Sequence, residues 1–276
     1  MIFCKELNKT FANEDDLHKA IIANKSQIVS LKKDAIKFTD GFECSFADVD
    51  TVKNIIIKGN EAILDNPTEI KVRIAGNTTR LLDGHRDVHI DGLWKRTLKS
   101  SDQKMHLQEH VRRFDAVISD KAKVYAKTMS WKDLGAPYEG ETQVLLADSL
   151  VTSSRNAYMF EQYKNGWVNN HSVGMQYVDI KVCINSKEKW AEEEKANWDK
   201  YYPLIANKED AENITYFYAV LEAKLVEISA VLFGSNFITP TLDNNLKSEQ
   251  SLSEEDKNDS PQGTQSINNF YNPNLY

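Results

Sequence analysis

Residues 217–233 read FYAVLEAKLVEISAVLF, a long run without glycine or proline. Its aromatic and β-branched side chains favour an extended chain over a helix. Shorter runs of the same texture precede it: NIIIKG (54–59), EIKVRIAG (69–76), KVYAKTM (123–129), TQVLLADSL (142–150) and QYVDIKVCI (176–184). Gly, Asn, Asp and Ser separate them, as expected between strands. Long helices do not alternate regularly with these runs, so a doubly wound parallel sheet is disfavoured. The reading is an α+β chain with a mainly antiparallel sheet and flanking helices.

The helices are fewer. Residues 1–38 read as helical, with Asn13 as a cap, Glu14, Asp15 and Asp16 in the first turn, and Leu17, Ile21 and Ile28 as a partial apolar stripe. Lys25, Lys32, Lys33 and Lys37 read as a solvated face. A second helix begins near Ser153 or Ser154, carries Met159, Tyr163 and Trp167 at four-residue spacing, and stops near Gly166. A third is expected at 187–202, ended by Pro203 and set between strands as an insertion of about 186–213. Its Trp190, Trp198, Tyr201 and Tyr202 read as packing residues. From Thr241 the chain turns polar and acidic, too poor in apolar surface to offset ordering entropy, so 241–276 is expected to be disordered. The expected organisation is a helical module at 1–45, a main domain at 46–240 and this tail.

Composition narrows the class. The chain has 276 residues, 41% of them hydrophobic, and a formal charge of −7, which argues against nucleic acid as the main partner. The cysteines, Cys4, Cys44 and Cys183, are odd in number and lack CxxC spacing, so neither a disulfide framework nor a cysteine zinc site is expected. The opening MIFCKELNKTFANEDD becomes charged too soon for a signal peptide, and the apolar runs are too short to span a bilayer. A soluble intracellular protein without a cofactor is the expectation.

The stretch NNHSVGMQY (169–177) places His171 directly before Ser172. If Ser172 is a nucleophile it needs a base within hydrogen-bond reach. On a strand, neighbouring side chains point to opposite faces, so His171 is the wrong histidine. That leaves His18, His85, His89, His106 and His110. In KMHLQEHVRRFD, His106 and His110 share a face on either a strand or a helix, which raises a metal reading. Two histidines are one ligand short for zinc, and HLQEH is not HExxH.

Taken in order, several strings resemble the tailed-phage prohead maturation serine proteases, whose catalytic domain is similar in fold to the herpesvirus assemblins. They are HRDVHIDGLWKRTLKSS (85–101), KMHLQEH (104–110), SSRNAYMFEQYKNG (153–166), HSVGMQY (171–177) and LVEISAVLFGSN (225–236). The resemblance covers about residues 70–240 and implies a β-barrel core. It also implies a serine endopeptidase with Ser172 as nucleophile, His110 as base and Glu227 as the carboxylate orienting the base. Glu222 is the competing acid; five positions from Glu227, it faces the other way on an unbroken strand. Gly174 could admit a close backbone approach by substrate, and Arg112 or Arg113 could supply oxyanion charge. The implied substrates are scaffold and major capsid protein segments, and the chain itself, inside a procapsid in the host cytoplasm, with self-association. The rival readings are an inactive scaffold or capsid-associated protein of the same fold, and a metal hydrolase built on His106 and His110.

Overall fold

The structure is a computed structural model that describes residues 1–35 and 67–245. The strand expected at 54–59, Lys37, Cys44 and the tail after residue 245 lie outside the described residues. Along the chain come β1 (Ile2–Cys4), β2 (Lys9–Phe11), α1 (Glu14–Ala23), α2 (Lys25–Asp34), β3 (Glu69–Thr78), β4 (Asp87–His89), α3 (Lys95–Ser100) and β5 (Gln103–Gln108). There follow β6 (Val117–Ser130), β7 (Glu141–Thr152), α4 (Ala157–Lys164), β8 (His171–Ile184), α5 (Glu192–Tyr201), α6 (Lys208–Ala211), β9 (Tyr216–Ala230) and β10 (Thr241–Asn245).

The stretch 217–233 is extended through Ala230, and β9 organises the sheet. One edge of β9 pairs with β8 along nearly its whole length, antiparallel. The other edge takes β4 opposite Tyr218–Val220 and β5 opposite Ile228–Ala230, both parallel. Beyond β5 the order runs β6, β7, β3, β10, all antiparallel. The fold is therefore α+β with a large mixed sheet.

The sheet is not closed into a barrel. It ends at β10 on one side and at β8 and β4 on the other. The side chains of β3 reach β8 and β9 without a hydrogen-bond ladder. A Cβ added to Gly76 would lie 2.4 Å from Ile228 Cδ1 and 3.3 Å from Val173 Cγ1. The two ends thus meet by apolar packing around a common core of Ile70, Val72, Ile74, Val124, Leu145, Val173, Met175, Leu225 and Ile228. Closure would need backbone pairing across this seam at a fixed stagger.

Several local expectations need correction. Residues 1–11 form the hairpin β1–β2 and not helix; helix begins after Asn13, whose Oδ1 accepts from Asp16 N at 2.9 Å. The N-terminal residues also share the main core, since Phe11, Leu17, Ile21 and Ile28 are buried in the same cluster as the sheet. Lys32 is not on a solvated face: it is buried, bonded to Asp87 Oδ1 at 2.5 Å and set 4.0 Å from the Tyr218 ring centroid. The cap of α4 is Asn156, whose Oδ1 accepts from Met159 N at 3.0 Å, so the serines at 153 and 154 lie one turn too early. Finally, 241–245, expected to be disordered, pairs with β3 as β10, because Thr241 is buried and finds a backbone edge to join.

The insertion is helical as expected. Trp198 and Tyr201 of α5 are buried against Phe217 and Cys183, and Trp198 stacks on Tyr202 at 4.5 Å.

Candidate active site

The site is built where β5, β8 and β9 run side by side. Strand β5 ends at Gln108, and the chain turns at once, with Val111 N donating to Gln108 O at 2.9 Å. The two central residues, Glu109 (φ 50°) and His110 (φ 58°), are both left-handed. That is a turn conformation usually given to Asn and Gly, and for side chains with a Cβ it costs about 1–2 kcal/mol per residue. The cost is offset by anchors. Glu109 N donates to Ala230 O at 2.9 Å, His110 N donates to Ser229 Oγ at 3.2 Å, and Glu109 Oε1 accepts from Leu232 N at 2.9 Å.

The turn swings the imidazole onto Glu227. His110 Nδ1 lies 2.7 Å from Glu227 Oε1, and the two side chains are 7% and 4% exposed. The other carboxylate oxygen, Oε2, accepts from Ser229 Oγ at 2.5 Å. With Nδ1–H donating to Glu227, Nε2 is the nitrogen that can take a proton. Strand pairing places Ser172. It sits directly opposite Ser229 on β8, and Gly174 sits opposite Glu227. Opposed residues of an antiparallel pair share a face with Cβ atoms about 5 Å apart. Ser172 therefore lies on the strand face that carries Ser229 and Glu227, the two residues that hold His110.

Gly174 has a different role from the one its sequence context suggested. A Cβ there would lie 2.2 Å from Glu227 Oε1, so the glycine makes room for the carboxylate and not for substrate. Glu222 is elsewhere, bonded to Arg96 at 3.0 Å. Arg112 and Arg113 are exposed, and Arg113 is forked onto Asp115 at 2.6 and 3.1 Å. Ser229 was not singled out from sequence. The available signal was its position two residues after Glu227, on the same face of a strand.

His106 and His171 belong to the core. Both are fully buried. His171 Nδ1 donates to Thr239 O at 3.0 Å, so its Nε2 must accept from Tyr163 OH, also at 3.0 Å. The tyrosine oxygen then accepts from His106 Nε2–H at 3.1 Å, and His106 Nδ1 accepts from Ser149 Oγ at 2.9 Å. One direction satisfies every group, and both rings are neutral in it. His106 and His110 thus do not share a face. Irregularities in the β5–β6 pairing and the turn after Gln108 break the alternation, and with it the premise of the metal reading.

Burial pushes the His171 imidazole down to about 4, against the bond to Thr239, and pushes His106 well below its usual range, with His171 adding to the effect. Between these folded values and 6.5 the unfolded chain binds more protons, so stability rises with pH across that window. Stability is expected to be complete above about pH 6.5 and to fall toward pH 4, by about 3 kcal/mol from His171 alone. Urea unfolding at a series of pH values checks this. A His171→Gln variant should show a shallower slope, and an unchanged slope would refute the assignment.

Among the described residues no helix is long and apolar enough to cross a membrane. Comparison of the chain with protein-family models, with curated proteins and with solved structures gave no match.

Proposed function

We propose that this chain is a serine endopeptidase using Ser172 as nucleophile, His110 as base and Glu227 as orienting carboxylate. One observation carries the reading: a buried His110–Glu227 bond of 2.7 Å, held by a turn with two left-handed residues, on the strand face that bears Ser172. Backbone conformation of this cost persists where surrounding contacts over-determine it, and such places cluster at functional sites.

The chemistry follows from the atoms. A serine hydroxyl attacks a peptide carbonyl only as its proton leaves, and His110 Nε2 takes that proton. The resulting imidazolium is stabilised by Glu227, then returns the proton to the departing amine. An ester joins Ser172 to the acyl half until water, activated by the same imidazole, releases it. Ser229 holds the second carboxylate oxygen and the His110 backbone, so it is a positioning residue. Exposed Val111, Phe114, Leu232 and Phe233, on the segments flanking His110, offer apolar surface to a polypeptide.

The order of the sequence strings supports a narrower reading. The substrates are then scaffold and major capsid protein segments, and the chain itself, within a procapsid in the host cytoplasm, by a self-associating enzyme. Cutting the segment that holds a reversible assembly together commits it to the next state. The test is fluorophosphonate labelling with peptide mapping. Label on Ser172, lost in His110→Ala, supports the proposal; no label on Ser172 refutes it.

A further inference from the structure

Three segments beside Ser172 carry exposed apolar side chains. Glu109 N donates to Ala230 O and Leu232 N to Glu109 Oε1, both at 2.9 Å, and Asn170 Nδ2 donates to Leu232 O at 3.1 Å. These bonds tie 109–114, 230–233 and 167–170 together at the start of β8. On them Val111, Phe114, Trp167, Leu232 and Phe233 are 39–90% exposed. Single exposed apolar residues are ordinary, but five on adjoining segments make a docking surface.

The chain holds a stretch of matching chemistry. All the charged side chains after residue 245 lie within 247–259, and SPQGTQSINNFYNPNLY (260–276) has none. Phe270, Tyr271, Leu275 and Tyr276 bring its apolar surface together at one end. Pro273, set between the two pairs, fixes one backbone torsion and so lowers the cost of holding them in place.

The described chain also leaves from the right place. Thr239 Oγ1 donates to His171 O and Thr241 Oγ1 to Val168 O, each at 2.6 Å, so β10 starts beside the residues that lead into Ser172. Four antiparallel pairings separate β10 from β5, so the two strands run the same way and leave the sheet at the same end. Four strand spacings amount to about 19 Å. Residues 246–269 reach about 80 Å at full extension, so the span to the collar around His110 is easily met within one chain.

We propose that residues 270–276 dock on this apolar collar of their own chain and stand between Ser172 and an incoming polypeptide. The effect on Ser172 rests on the peptidase reading above; the docking does not. A short tether holds its peptide at an effective concentration of about 1 mM, so a peptide binding with a Kd of only about 0.1 mM would shield the site about tenfold. A competing polypeptide with a larger apolar surface displaces it.

The experiment is photo-cross-linking in the full chain, with p-benzoylphenylalanine in place of Phe270 and Ser172→Ala added to keep the chain intact. Cross-links within one chain to 111–114, 167 or 232–233 are expected. Phe114→Ser with Phe233→Ser, both at exposed positions, should remove them, as should excess NNFYNPNLY peptide. Cross-links elsewhere on the chain, only between two chains, or none at all overturn the docking. The second measurement is the rate of fluorophosphonate labelling of Ser172. The full chain with Phe270→Ser, Tyr271→Ser, Leu275→Ser and Tyr276→Ser should label about tenfold faster than wild type, and added peptide should restore the slow rate with half effect near about 0.1 mM. Equal rates overturn the shielding. The two proposals fail separately: without label on Ser172 in either chain the peptidase reading is gone, and the cross-links alone then decide the docking.

Discussion

Ser172→Ala is expected to lower kcat/KM for peptide cleavage by about 10⁴- to 10⁶-fold and to leave the unfolding midpoint nearly unchanged. The loss is large because the hydroxyl supplies the bond that divides one difficult acyl transfer into two easier ones. The midpoint holds because Ser172 is only half-buried and the change removes one oxygen. His110→Ala should cost a similar factor, since without a base the hydroxyl keeps its proton. The double variant should be little worse than either single one, because the residues act as a unit. Steady-state kinetics on the three variants and a thermal melt of each check this. Full activity in Ser172→Ala would make it an ordinary strand serine.

Gly174→Ala is expected to lower kcat by about 10²- to 10⁴-fold with a small change in KM. The new methyl would sit 2.2 Å from Glu227 Oε1, 3.0 Å from its carboxyl carbon and 3.1 Å from Cγ. The carboxylate must move, yet it is pinned on both oxygens, by His110 at 2.7 Å and by Ser229 at 2.5 Å. Any shift that clears the methyl breaks at least one bond. His110 then loses the group that fixes its tautomer and stabilises its cation. Glu227→Gln should reach the upper end of the range, because an amide donating to Nδ1 favours the tautomer with its proton already on Nε2. Combining the two changes should add little. Wild-type kcat in Gly174→Ala would mean that the His110–Glu227 bond is not used.

These residues were legible to different degrees. Strand alternation alone removed His171 as a base, and the ring lies in the core with Tyr163 and Thr239. Alternation set Glu222 and Glu227 on opposite faces only for an unbroken strand, and β9 is irregular between Leu225 and Glu227, so it was the order of the strings alone that favoured Glu227. The same rule failed on β5. It put His106 beside His110, whereas Glu109 and His110 leave the strand in left-handed conformations that composition does not announce. Lys32 was misread because a lysine among lysines resembles a solvated face. Its buried partner, Asp87, is 55 positions away, and no local pattern links them. Barrel closure was beyond reach for a related reason. Whether β3 meets β8 by hydrogen bonds or by side chains depends on the twist and stagger accumulated across every strand between them.

The turn at 109–110 has a bearing on any attempt to make this protein hardier. Glycine would relax either position by about 1 kcal/mol, so a screen that rewards heat resistance alone should collect it there. At 109 the exchange would also lose the tether to Leu232 and loosen the aim of the neighbouring ring; at 110 it would delete the ring. Survivors of such a screen would be sturdy and inert, and durability in this molecule would have to be sought far from that bend.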